Sequence, residues 1–225
     1  MVAAFRRLES ALADLFQEIE EDLRRDRAAQ LWKRYGRYVV AVLVFVIAAT
    51  ASYVGWKEYR HRQQIAYGDR FASALALIQD KKEAEALSVL GSLAQDAGTG
   101  YGTLARFRAA TVKLHQGDRA GAVAIYDAIA KDSSVDPLYA QLASLYYALD
   151  TLETGNPDDL AKRLEPLTAA TAPWRYSARE LTALLALRKG DAAKAREDFT
   201  KLADDPKTPG GIRARAAEML RALKQ

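Results

Sequence analysis

Leu114–Ala130, LHQGDRAGAVAIYDAIA, reads again without a gap as Leu187–Ala203, LRKGDAAKAREDFTKLA. Gly117, Asp118, Ala120, Ala122, Tyr126 and Ala130 fall on Gly190, Asp191, Ala193, Ala195, Phe199 and Ala203. In both copies a Gly-Asp pair separates two stretches of helical period. Glycine admits the left-handed turn that ends one helix, and aspartate caps the next. The copies lie 73 residues apart, two units of 36 or 37. A step of 36 back from Ala122, Tyr126 and Ile129 reaches Ala86, Leu90 and Leu93, a match in kind. The stretch therefore reads as one unit of a repeat of helix pairs.

That period is near the ~34 residues of tetratricopeptide repeats, whose second helix carries a small residue and then an aromatic four later. The small residue lets the two helices approach, and the aromatic fills the gap to the next unit. Working outward, turn signals divide the chain into helices over roughly 83–95, 103–116, 119–131, 137–154, 157–170, 173–189, 192–204 and 211–224. The first is ended by Gly98, Gly100 and Gly102, so Gly98–Gly102 reads as a loop between helices. Trp174, just after Pro173, is placed to anchor the start of the fourth pair. Leu160 stands where the third unit needs a small residue, and the first-helix signature is poor, so the repeats are degenerate. No convincing period-two strand occurs from Glu83 onward, and the fold class is all-α: an α-solenoid of tetratricopeptide-like helix pairs.

Upstream, Tyr38–Trp56, YVVAVLVFVIAATASYVGW, holds nineteen residues without a charge. As a helix it rises about 28 Å, close to a hydrocarbon core of roughly 30 Å. Trp32, Tyr35 and Tyr38 lead into it and Tyr53, Trp56 and Tyr59 leave it, the pattern of interfacial anchors at both faces of a bilayer. The expected organisation is an arm over 1–37, a single transmembrane helix over 38–56 and a folded domain over 57–225. Charged sequence longer than a signal peptide's n-region precedes the run, which favours an uncleaved anchor. Six Lys or Arg lie in the fifteen residues before the span and four in the fifteen after it, so the positive-inside rule puts the N-terminus in the cytoplasm.

In the arm, Phe5, Leu8, Leu12, Leu15 and Ile19 form one helical seam, so residues 5–19 have a possible helix partner. A partly frayed helix without a partner fits equally, because short helices are marginal alone.

The chain carries 33 basic and 29 acidic residues, a net charge of +4, with no basic cluster beyond the juxtamembrane group. That argues against nucleic-acid binding. The absence of cysteine excludes disulfides, thiol catalysis and cysteine metal sites. The two histidines, His61 and His115, have no metal-ligand spacing, and no phosphate-binding or nucleophile motif occurs. No cofactor, metal site, catalytic residue or enzymatic activity is expected. Solenoids of this kind present a concave surface to protein partners. Leu104, Phe107, Thr111 and Leu114 are the candidate partner-binding residues; the competing reading of each is ordinary core, and Tyr139, Tyr146 and Tyr147 pose the same choice.

These features resemble YfgM-like ancillary subunits of the bacterial SecYEG translocon. The resemblance covers nearly the whole chain. It rests on WKRYGRY before the apolar run, YVGWKEYRHRQ after it, YGTLARFRAA at Tyr101–Ala110 and PWRYSARELTALLALRKGDAAKAREDF at Pro173–Phe199. It implies a single-pass protein of the bacterial inner membrane, with its N-terminus cytoplasmic and a periplasmic tetratricopeptide-like domain. It also implies association with the Sec translocon and with membrane-anchored periplasmic chaperones, the chain acting as a non-enzymatic adaptor. A scaffold for cell-envelope assembly or division is the alternative.

Overall fold

A computed structural model describes the backbone of residues 2–98 and 100–223, and the side chains from Trp32 onward. Its described residues form helices α1 (Val2–Gln79), α2 (Glu83–Asp96), α3 (Tyr101–His115), α4 (Arg119–Lys131), α5 (Pro137–Asp150), α6 (Pro157–Leu164), α7 (Arg175–Arg188), α8 (Ala192–Asp204) and α9 (Gly210–Ala222). A single 3₁₀ turn, Glu165–Thr168, follows α6, and the described residues contain no strand. The chain divides into two compact units, Met1–Gln63 and Gln64–Gln225.

In the first unit the backbone is helical throughout its described residues. The seam Phe5, Leu8, Leu12, Leu15 and Ile19 lies outside the residues whose side chains are described. From Trp32 on, α1 includes a stretch long and apolar enough to cross a membrane by length and composition, with none of it buried. Phe45 is 72% exposed and Ile47 68%. The six expected interfacial aromatics, Trp32, Tyr35, Tyr38, Tyr53, Trp56 and Tyr59, are all exposed. Three have a guanidinium over the ring: Arg34 over Tyr35 at 5.6 Å, Arg37 over Tyr38 at 4.8 Å and Arg60 over Trp56 at 5.1 Å. Trp32 lies across Gly36, where an added Cβ would stand 3.2 Å from the indole.

The second unit stacks its helices in sequence: α2 on α3, α3 on α4, α4 on α5, then α6 on α7, α7 on α8 and α8 on α9. Helices two apart also meet, α5 with α7 and α7 with α9. The small–aromatic pattern explains why this works. Ala86, Ala122 and Ala195 are fully buried, as is Leu90 four residues after the first. Tyr126 and Phe199, four residues after the other two, are 3% and 1% exposed. Each alanine allows close approach, and each larger residue fills the space beyond it. Removing a ring of this size from a core costs about 3–5 kcal/mol.

The turns repeat as closely as the core. At the end of α3, Gly117 N–H donates to Leu114 O at 3.0 Å and Asp118 N–H to Lys113 O at 2.8 Å. At the end of α7, Gly190 N–H donates to Leu187 O at 2.9 Å and Asp191 N–H to Ala186 O at 2.9 Å. This paired arrangement satisfies the last carbonyls of a helix and needs positive φ at the glycine; the values are 81° and 82°. Asp118 then accepts from Gly121 N–H at 2.8 Å, and Asp191 from Lys194 N–H at 2.9 Å, capping α4 and α8. The same pattern closes α1, where Lys82 N–H donates to Leu77 O at 2.8 Å and Lys81 takes φ 59°. Lys81 lies one 36-residue step before Gly117. The end of α1 and α2 therefore form the first helix pair of the solenoid.

Three expected boundaries move. α5 stops at Asp150 rather than 154, and the chain passes into tight turns closed by Thr154 N–H to Thr151 O at 3.1 Å and Gly155 N–H to Thr151 O at 2.7 Å. α6 does not run to 170, because Pro166 has no N–H for the ladder and clashes with the preceding turn, leaving the short 3₁₀ segment. Tyr101 and Gly102 belong to α3 rather than to a glycine-rich loop; Thr99 lies outside the described residues. Gly102 is buried because α3 meets α2 there, an added Cβ standing 3.2 Å from Ala94 O.

Candidate protein-binding groove

The odd-numbered helices of the second unit line one face. Two adjoining depressions, of about 480 Å³ and 740 Å³, lie along it and share Leu142, Tyr146 and Leu149 of α5. The smaller takes Phe71 from α1, a stripe from α3 and a stripe from α5. The larger continues over Trp174, Leu181 and Leu184 of α7 to Met219 of α9.

Leu104, Phe107, Thr111 and Leu114 all line the smaller depression. Their spacing of three, four and three puts them on one face of α3. Leu104 is 37% exposed, whereas the other three are half-buried. Thr111 donates its hydroxyl to Phe107 O at 3.1 Å, a bond within its own helix.

Phe107 is the centre of a ring cluster. Its centroid lies 6.0 Å from Tyr126, 6.4 Å from Tyr139 and 6.1 Å from Tyr146, while Tyr126 and Tyr146 are 5.3 Å apart. Rings at these separations interact beyond their simple burial. Tyr126, the repeat's core aromatic, therefore also forms part of the groove floor. Of the three tyrosines left open by the sequence, Tyr139 and Tyr146 line the groove. Tyr147 does not: the Arg163 guanidinium stacks on its ring at 3.8 Å, and Arg163 also pairs with Asp127.

Trp174 has a double role. Its indole N–H donates to Leu138 O at 3.0 Å, tying the start of α7 to that of α5, and its ring lines the larger depression. Behind it, Glu180 is held by both Nε and Nη2 of Arg215, at 2.6 and 2.8 Å, which links α7 to α9. Reading the sequence missed this second half of the groove and Asp150. The available signal was the stripe Tyr139, Leu142, Tyr146, Leu149 along α5, whose spacing of three, four and three copies that of α3.

No group of three or more metal-ligating side chains occurs among the described residues. Burial pushes the carboxyl of Asp150 above the ordinary carboxylate range, opposed by the charge of Arg119. Asp150 has neither hydrogen bond nor ion pair among the described residues. It stands at the edge of the ring cluster and lines the smaller depression.

Stacked helix pairs with apolar depressions along one face define the class: an α-solenoid of tetratricopeptide-like repeats. The chain belongs to the tetratricopeptide repeat-like domain family, whose model matches residues 29–218. The match takes in the apolar run as well as the solenoid. No curated protein and no solved structure matches the chain. Domains of this family are typically protein-interaction modules, which implies protein partners for the chain in general.

Proposed function

We propose that this chain is a non-enzymatic adaptor tethered to the bacterial inner membrane, an ancillary subunit of the Sec translocon. On this reading Tyr38–Trp56 spans the bilayer, the N-terminus is cytoplasmic, and the solenoid stands in the periplasm. There it links the translocon to membrane-anchored chaperones and to newly translocated chains. One observation carries the binding role: two joined apolar depressions running along α3, α5 and α7. Leu104, Tyr146 and Leu149, 37%, 37% and 50% exposed, leave apolar surface there that internal packing does not use. Contiguous apolar surface of that kind favours a protein partner.

The tether rests on the exposed apolar side chains of Val39–Ile47. A helix apolar on every side is unfavourable in water but stable in hydrocarbon, because its backbone is already hydrogen-bonded. Affinity purification of the tagged full chain from native membranes in mild detergent tests the assignment. Sec subunits and periplasmic chaperones are expected in the eluate, and they are expected to be depleted when Leu104 and Leu149 are both changed to Ser. Reproducible absence of both groups of proteins from the wild-type eluate overturns the translocon assignment.

A further inference from the structure

The groove is apolar, yet its charges are not balanced. Glu180 is neutralised by Arg215 through two hydrogen bonds. What remains is Asp150 and Glu218 against Arg108. The groove lining thus carries an acidic excess although the chain as a whole is +4, Arg119 of α4 lying outside that lining.

Asp150 is the unusual member. It ends α5 four residues after Tyr146, so the two share a helix face. From α4, Arg119 and Tyr126 face it electrostatically, and no cation makes an ion pair with it. A partly buried, unpaired carboxylate costs a fold free energy and gives nothing back. Beside it lie the Tyr126 and Tyr146 rings, 5.3 Å apart. Aromatic faces attract cations, the more so where water is excluded. A carboxylate and the exposed Tyr146 ring at the edge of an apolar groove, backed by the buried Tyr126 ring, form a receptor for one positive charge carried by an otherwise apolar ligand.

We propose that the depression between α3 and α5 receives a Lys or Arg side chain from an apolar segment of a partner polypeptide, with its cation between Asp150 and the exposed Tyr146 ring. The inference rests on the groove being the protein-binding face. It adds the chemistry of the occupant: leucine-like side chains along Leu104, Leu142 and Leu149, and one basic residue in register with the end of α5.

The test uses the full chain in lipid nanodiscs and three fluorescein-labelled 13-residue peptides of leucine and serine, identical except for Lys, norleucine or Glu at the centre. By fluorescence anisotropy the Lys peptide is expected to bind about tenfold more tightly than the norleucine peptide, the order of effect of a partly desolvated cation–ring and ion-pair contact. The Glu peptide should be the weakest. Asp150→Asn should bring the Lys peptide to the norleucine affinity and leave the norleucine affinity unchanged, with thermal unfolding confirming that the variant folds. Equal binding of the Lys and norleucine peptides, or a Lys preference that survives Asp150→Asn, overturns the proposal. If Leu149→Ser then weakens all three peptides, the groove remains the binding face and only the cation site falls. If none of the three peptides binds, both fall.

Discussion

Asp132 and Asp150 close successive turns of the solenoid, and their surroundings push them in opposite directions. Asp132 accepts from the Ser134 hydroxyl at 2.6 Å, from Arg106 Nη1 at 2.9 Å and from Ser134 N–H at 3.0 Å. These partners hold its pKa down to about 2. Asp150 lacks such partners, and burial raises it. The signs follow from linkage. A depressed carboxyl stabilises the fold above its unfolded pKa of about 3.9, and that contribution is lost as pH falls toward the folded value. A raised carboxyl costs stability at neutral pH, and the cost vanishes as pH falls through its folded pKa. Asp132→Asn is therefore expected to lower the Tm at pH 7, with the gap to wild type closing between pH 4 and 2. Asp150→Asn is expected to raise the Tm at pH 7, with its gap closing as pH is lowered toward 4. Circular-dichroism melts across pH 2.5–7.5 check both. A fall in Tm at pH 7 for Asp150→Asn would mean that the carboxylate has a stabilising partner after all.

The helix pairs depend on turn chemistry more than on helix propensity. Gly117 and Gly190 sit at φ 81° and 82°, where a side chain is strained. Ala at either position is expected to cost about 1 kcal/mol, read as a shift in the urea midpoint at constant m-value. Lys81 occupies the equivalent turn at φ 59° without the glycine. Lys81→Gly should stabilise the fold, by about 0.5 kcal/mol once the extra chain entropy of glycine is counted. In the core, Phe199→Ala is expected to lose about 3–5 kcal/mol, because its ring is 1% exposed beside Ala195 and Leu202. These turns also explain what the sequence made legible. A Gly-Asp pair has one low-energy reading, so α4 and α8 are found at Arg119–Lys131 and Ala192–Asp204, the limits that the sequence implies. Lys81 has no such signature, yet α2 begins at Glu83, the limit that the sequence implies. The end of α5 was hidden, since no Gly or Pro stands between Asp150 and Thr154 to mark it. Candidate groove residues on α3 were legible because their spacing shows a face. The same spacing does not say whether that face meets the core or solvent, and only the placement of α5 and α7 answers that.

At the scale of the molecule, the two units call for different surroundings. The second buries an alanine-rich core with no cysteine to brace it, so packing and polar contacts between helices hold it without a covalent link. The first presents Val39–Ile47 outward with no apolar partner among the described residues. Water would penalise that surface by roughly 25 cal/mol for each Å² of apolar area left exposed, whereas a bilayer removes the penalty. Aromatic rings at both ends and guanidinium groups over three of them suit the two headgroup zones. If Tyr38–Trp56 is a span, residues before and after it lie on opposite sides of one membrane, and the cation count favours the N-terminus inside. Single cysteines introduced at Ser10 and at the exposed Lys207 test this in intact cells, the native chain having no thiol to interfere. A membrane-impermeant maleimide is expected to label the Lys207→Cys variant at once and the Ser10→Cys variant only after permeabilisation. Labelling of both before permeabilisation, or of neither, removes the span and with it the tethered-adaptor reading. The reverse pattern keeps the span but puts the solenoid in the cytoplasm, where a periplasmic chaperone has no access to its groove.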